Sequence, residues 1–179
     1  MEDAVYIESV AEGDSAAIAA QIQQLLDQGC TLIFTTSFEF MNPTKAMADA
    51  HPDRVFMHCS GYVTAPNMGI YFARIYQADY LTGLIAGEMT QTDTLGYVAP
   101  VRIPEVYRGI NAFTIGVRER NPDAVVVVRW VGAWFDPATS TLKTQELLSL
   151  GADLIASGQD SPAPVQAAEQ AGVVAFGYK

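Results

Sequence analysis

The sequence predicts an α/β fold built on parallel sheets, and three observations predict it. Short apolar runs of strand length alternate with amphipathic stretches of helix length along the chain. Several of those runs are followed by a capping residue and a proline, the pair that opens a helix. A polar, turn-prone stretch, Thr90-Gln91-Thr92-Asp93, separates two such series. The expected architecture is two doubly wound parallel-sheet lobes, residues 1–92 and 93–179, with right-handed crossovers and helices on both faces of each sheet.

In chain order, Ala4–Val10 reads as a strand, because Tyr6-Ile7-Glu8-Ser9-Val10 is rich in β-forming residues. Ser15–Gln28 reads as a helix: Ile18, Ile22, Leu25 and Leu26 make one stripe, Gln21, Gln24 and Asp27 the other face, and Gly29 stops it. Thr31–Thr36 is a short apolar strand. A helix then opens at Asn42-Pro43 and breaks at His51-Pro52-Asp53. Val55–His58 is a strand, Cys59–Met68 a loop and Gly69–Phe72 a short extended piece. Arg74–Met89 is apolar on most sides, the pattern of a helix sandwiched between other elements.

Thr94–Ala99 starts the second series. Pro104 opens a helix with Val106, Ile110, Phe113 and Val117 on one face, ended by Asn121-Pro122-Asp123. Val125–Trp130 lies in the most β-prone run of the chain. The helix after it, Ala138–Leu150, turns Leu142, Leu147 and Leu150 to the core and stops at Gly151. Asp153–Ala156, Pro164–Gln170 and Val173–Phe176 complete a strand, a short helix and a last strand.

Half of the 179 residues are apolar and the net charge is −10, with the ten basic residues scattered. No basic stripe exists to neutralise phosphates, so nucleic acid is not an expected partner. Cys30 and Cys59 fit no metal-ligand spacing and read as buried small hydrophobes. His51 and His58 have no carboxylate or thiol recurring at metal spacing, so no metal and no cofactor is expected. The chain opens Met1-Glu2-Asp3-Ala4, without the basic start and apolar core of a signal peptide. Tyr80–Gly87, the most apolar helical stretch, is too short to span a membrane and is flanked by Asp79 and Glu88.

Parallel sheets bind ligands at the carboxyl ends of their strands. Helices opening at Asn42-Pro43, Ile103-Pro104, Asp136-Pro137 and Ser161-Pro162 all present their N-termini on that side, together with Ser37, Arg102, Asp136, Ser157, Gln159 and Asp160. Phe38, Phe40, Tyr62 and Trp134 are expected there too. An aromatic beside a carboxylate, Trp134-Phe135-Asp136, suits a ligand with a flat ring and hydroxyls. The same residues also suit plain structure, with Trp134 and Phe135 in the core and Asp136 as a helix cap. Enzyme signatures are absent: there is no dinucleotide or phosphate-binding glycine loop, no nucleophile elbow, and no pair of carboxylates standing out as acid and base.

A set of motifs now carries a resemblance. Ser60-Gly61-Tyr62, Ala65-Pro66-Asn67, Tyr71-Phe72-Ala73-Arg74 and Tyr80–Gly87 are followed by Gly96-Tyr97-Val98-Ala99, Ile103-Pro104-Glu105-Val106 and Gly109–Phe113. Asn121-Pro122, Trp134-Phe135-Asp136-Pro137, Gly151-Ala152-Asp153 and Gly177-Tyr178 complete the series. In order and spacing this resembles the basic membrane protein family, the substrate-binding lipoproteins of ABC transporters with a type I periplasmic-binding-protein fold. The resemblance implies a non-enzymatic protein that captures purine nucleosides or bases in a cleft between two lobes and serves a transporter permease. It implies an extracytoplasmic location, with membrane attachment only through an upstream lipid anchor. By motif position, Trp134 stacks on the base and Asp136 contacts ribose or base. Ser37, Phe38, Gly61 and Tyr62 are the first lobe's contribution; Gln159 is added as a ligand contact from its place on the carboxyl-end side of the sheet, not from the resemblance. The resemblance also implies that both lobes are incomplete: the first lacks its first strand and helix, and the second is truncated at its C-terminal end. The alternatives are a sensor or regulator domain of the same fold and a small α/β enzyme acting on nucleosides.

Overall fold

The computed structural model describes residues 4–178. Its elements run α1 (Ser15–Asp27), β1 (Leu32–Thr35), a 3-10 turn (Phe38–Phe40), α2 (Met41–Ala50), β2 (Val55–Cys59), β3 (Met68–Tyr71) and α3 (Ile75–Met89). They continue with β4 (Thr94–Ala99), α4 (Pro104–Arg120), β5 (Val125–Trp130), α5 (Pro137–Ser149), β6 (Leu154–Ser157), α6 (Ala163–Gln170) and β7 (Val174–Phe176). There are two separate parallel sheets, ordered β1-β2-β3 and β5-β4-β6-β7. Among the described residues no strand of one pairs with a strand of the other. Among the described residues no helix is long and apolar enough to cross a membrane.

The chain divides into two compact units, the first ending at Ala73 and the second starting at Arg74. The division thus falls earlier than the 92/93 boundary expected from composition. The physical reason is α3, which packs on α4 and places Ala86 in the core of the second unit. Nor is Thr90–Asp93 a loose linker. The Asp153 carboxylate accepts from the Thr90 hydroxyl at 2.7 Å and from the amides of Gln91 at 2.5 Å and Thr92 at 3.0 Å.

In the second unit α3 and α4 cover one face of the sheet, with Phe113 and Val117 against Leu95 and Tyr97. The opposite face carries Leu147 of α5 and Ala168 of α6 against Val98 and Ile155. The run Leu95–Ala99 of the interior strand β4 is buried along its length, the pattern of a parallel strand covered on both sides.

In the first unit the expectation of helices on both faces is corrected. Ile18, Ile22 and Leu26 of α1 and Ala48 of α2 share one cluster with Ile33 and Phe56. The alternate strand residues stay exposed, Phe34 at 56 % and Val55 at 49 %. α1 begins where Asp14 accepts from the amides of Ala16 and Ala17, both at 3.0 Å. Asn42 does not cap α2. The helix starts one residue earlier, directly out of the 3-10 turn, so no side-chain cap is needed. Asn67 ties the loop before β2 to β3 by donating to the carbonyls of Ala48, His51 and Arg54.

The strand expected at Ala4–Val10 does not form. That segment carries no regular structure, Ser9 has φ +58°, and it makes no backbone hydrogen bond among the described residues. A cavity of about 500 Å³ opens between it, α1 and the free edge of β1. β-forming residues become a strand only where a neighbour supplies the ladder. Amides of residues 4–10 are therefore expected to exchange orders of magnitude faster than those of β4. Equal protection measured by hydrogen exchange would contradict this.

Candidate functional site

In the first unit, Thr35 pairs with His58 at the ends of β1 and β2, so the loops after them leave the sheet side by side. The sequence places Ser37-Phe38 on one loop and Ser60-Gly61-Tyr62 on the other. The Phe38 and Tyr62 rings lie 6.5 Å apart, and Tyr62 is 71 % exposed. The Ser37 hydroxyl donates to the Glu12 carboxylate. Gly61 has φ +71°, and a Cβ there would lie 2.8 Å from the His58 ring and 3.0 Å from the Met41 sulfur. Both the left-handed backbone and the close approach demand glycine. A cavity of about 280 Å³ beside Phe38 is lined also by Ser15, Glu39 and Asn42. Phe40 is not part of this group, because it packs against the α1–β1 core.

Behind the loops lies a polar chain that sequence reasoning missed. His58 is fully buried; its Nδ1 is 2.9 Å from the Thr35 hydroxyl, which accepts from Thr44 at 3.0 Å. With Thr44 donating to Thr35, Thr35 donates to Nδ1 and the ring proton is assigned to Nε2. Nε2 has no hydrogen-bond partner among the described residues. Burial holds the imidazole below its ordinary value of 6.5, so it is neutral at pH 7. The available signal was the alternation in Val55–Cys59, which turns Phe56 and His58 inward together. Among the described residues no three His, Cys, Asp or Glu groups come close enough to hold a metal ion.

In the second unit the loop after β5 carries Trp134, Phe135 and Asp136. Asp136 caps α5: its carboxylate accepts from the Thr139 amide at 3.0 Å and the Thr139 hydroxyl at 2.7 Å. These bonds, the backbone one first, hold its carboxyl below the usual value. Pro137 occupies the first helical turn, where its missing N–H leaves nothing unsatisfied. Trp134 is partly buried against the Leu95–Phe113 core, whereas Phe135 is 65 % exposed. The aromatic facing solvent is therefore Phe135, present in the motif but not singled out from the sequence. Gln159 is only 2 % exposed. Its carboxamide accepts from the Ser140 hydroxyl at 3.1 Å and donates to the Ala133 carbonyl at 3.4 Å. The Asp160 amide donates to the Trp134 carbonyl at 3.0 Å. Gln159 and Asp160 thus hold the Trp134 loop in place from behind. Nearby, the Arg102 guanidinium lies 4.8 Å above the Trp130 ring.

The loops after the strands offer aromatic surface, a carboxylate fixed by capping and helix N-termini. Residues 3–179 match the family model described as ABC transporter substrate-binding protein, PnrA-like. A Haloferax volcanii protein named for an ABC transporter glucose-binding role, TsgA13, is 47% identical over 173 residues, 97% of this chain and 44% of its own length. A purine-binding protein of Brucella abortus is 42% identical over 175 residues, 98% of this chain and 49% of its own length. Among solved structures, an ABC transporter solute-binding protein of Aeropyrum pernix superposes with a TM-score of 0.78 at 20% identity, covering 92% of this chain and 50% of that one. The chain spans about half the length of these relatives.

Proposed function

The chain belongs to the PnrA-like family of ABC transporter substrate-binding proteins, and we propose that it serves to capture a purine base or nucleoside outside the cytoplasm for a transporter permease. The observation that carries this reading is the turn after β5. It presents an indole and a phenyl ring beside a carboxylate whose position is locked by helix capping. A ring face stacks on a base, and a carboxylate accepts from ribose hydroxyls or base N–H groups. The name of the Brucella relative points the same way. In this reading Trp134 and Asp136 are the second unit's contacts and Gln159 fixes their loop. Ser37, Phe38, Gly61 and Tyr62 are the first unit's contribution. A second reading, a sugar ligand, is favoured by the name of the Haloferax relative. Rings also pack on sugar faces, and a carboxylate accepts from sugar hydroxyls equally well.

Calorimetric titration with purines, nucleosides and glucose separates the two. Saturable purine binding is expected; saturable glucose binding with none for any purine would replace the first reading by the second. Stacking on an aromatic contributes roughly 1–3 kcal/mol, about tenfold to a hundredfold or more in affinity. Trp134→Ala is expected to lose that much, and because the ring also packs on the core its melting temperature should fall as well. Asp136→Asn keeps a good cap, so its melting temperature should hold while affinity drops. Purine affinity unchanged in both variants would remove the turn from the site.

A further inference from the structure

The second unit carries an open-sided cavity of about 310 Å³ that the ligand reading above does not use. It lies between the first turns of α3, the side chains of Tyr97 and Phe113, and the strand ends at Ser157 and Phe176. Its chemistry is one-sided. Asp79 of α3 lines it, and its carboxylate lies close against Gly109 of α4, where a Cβ would fall 2.7 Å from Oδ2. Tyr97 is 6 % exposed and lies along the wall beside Asp79 and Tyr178. Among the described residues no lysine, arginine or histidine lines the cavity. No ion pair to Asp79 occurs among the described residues. Arg108, the basic side chain of the facing helix nearest in sequence to Gly109, instead lies 5.4 Å above the Tyr76 ring.

A half-buried carboxylate with no ion pair among the described residues is costly in its charged form. Burial accordingly pushes the Asp79 carboxyl up to about 6, which still leaves it ionised at neutral pH. A cation would restore what burial removes. An anion would meet a carboxylate and, among the described residues, no opposing charge. The space exceeds that of a bare ion, and the walls formed by Phe113 and Phe176 are apolar and aromatic, so they suit a cation with a carbon body. We infer that this cavity is a binding site for a small organic cation, an alkylammonium or a guanidinium, whose N–H donors meet the Asp79 carboxylate and the Tyr97 hydroxyl. The titratable groups facing the cation are Asp79, Tyr97 and Tyr178. Burial raises the Tyr97 phenol further above its ordinary value, so across neutral pH it stays protonated and Asp79 supplies the charge.

The test is calorimetric titration of the 179-residue protein with butylammonium and methylguanidinium chloride, with butanol as the neutral control. Saturable one-site binding is expected at about pH 8, weakened about tenfold at about pH 5 as Asp79 takes up a proton. Asp79→Asn should abolish it or weaken it about tenfold or more, and Tyr97→Phe should weaken it a few-fold. Removing an unpaired buried charge does not unfold the unit, so Asp79→Asn is expected to melt no lower than the parent at about pH 8. Absence of saturable binding, equal binding at both pH values, equal binding of butanol, or unaltered binding by a folded Asp79→Asn protein would each overturn the assignment. The outcome is independent of the purine titration, so either proposal can fail alone.

Discussion

Replacing Gly87 with alanine is expected to destabilise the second unit by about 3 kcal/mol, at the upper end for overpacked cores. α3 and α4 cross with backbone against backbone. A Cβ on Gly87 would fall on the Val117 carbonyl oxygen, one on Gly83 on the Phe113 carbonyl oxygen, and one on Gly116 on the Tyr80 carbonyl oxygen. The atoms struck belong to the main chain, so no rotamer change relieves the contact. The helices must move apart, which loosens Ala86, Phe113 and Val117 together. Against this, alanine gains only about 1 kcal/mol over glycine in helix propensity. In thermal unfolding the net loss corresponds to a drop on the order of 10 °C. Glu88→Ala, next in the chain and exposed, is the control and should stay within roughly 0.5 kcal/mol. A Gly87→Ala protein as stable as the parent would show that the two helices do not meet as closely as described.

Asp153→Ala should cost a similar amount, about 2–4 kcal/mol, because one carboxylate satisfies the Thr90 hydroxyl and the amides of Gln91 and Thr92. The segment from Thr90 to Thr92 would then lose its anchor at the start of β4. The effect also depends on pH. Burial by itself raises the Asp153 carboxyl, but hydrogen bonds from Gln91, Thr90 and Thr92 outweigh it and hold the group below its ordinary 3.8. A depressed carboxylate contributes stability that is fully present above the unfolded value and is lost as pH falls through the folded one. The difference in melting temperature between parent and Asp153→Ala should therefore be largest at neutral pH and shrink as pH falls below 3.8. A difference that stays constant down to the acid limit would assign the loss to packing rather than to the charged acceptor.

Both cases show where reading along the chain stops. Gly83, Gly87 and Gly116 are visible in the sequence as small residues in helices, but the carbonyls they face belong to another element. Thr90–Asp93 has the composition of a linker, and only Asp153, far along the chain, makes it an anchored turn. His58 has no metal-ligand neighbours in sequence, so nothing along the chain marks it. Its partners Thr35 and Thr44 reach it through strand pairing and helix packing. Gln159 sits at a strand end where ligand contact is expected, yet Ser140 and the Ala133 carbonyl turn it inward.

The sequence by itself determined the strand–helix alternation, the two sheets, the strands from β1 to β7 and the Asp136-Pro137 helix start. Each of these rests on local apolar runs, periodicity or cap chemistry, which operate over a few residues. The family was legible for the same reason, since its motifs are short and ordered along the chain. Only the tertiary structure decided that Ala4–Val10 makes no strand, because a strand requires a partner and β1 does not pair with it. It alone decided that α3 belongs with the second unit, through its glycine contact with α4. It also decided which side chains of the site face outward, leaving Phe135 exposed and Trp134 half in the core. Those outcomes depend on which distant atoms compete for the same space and the same hydrogen bonds, and that competition is resolved only in the folded chain.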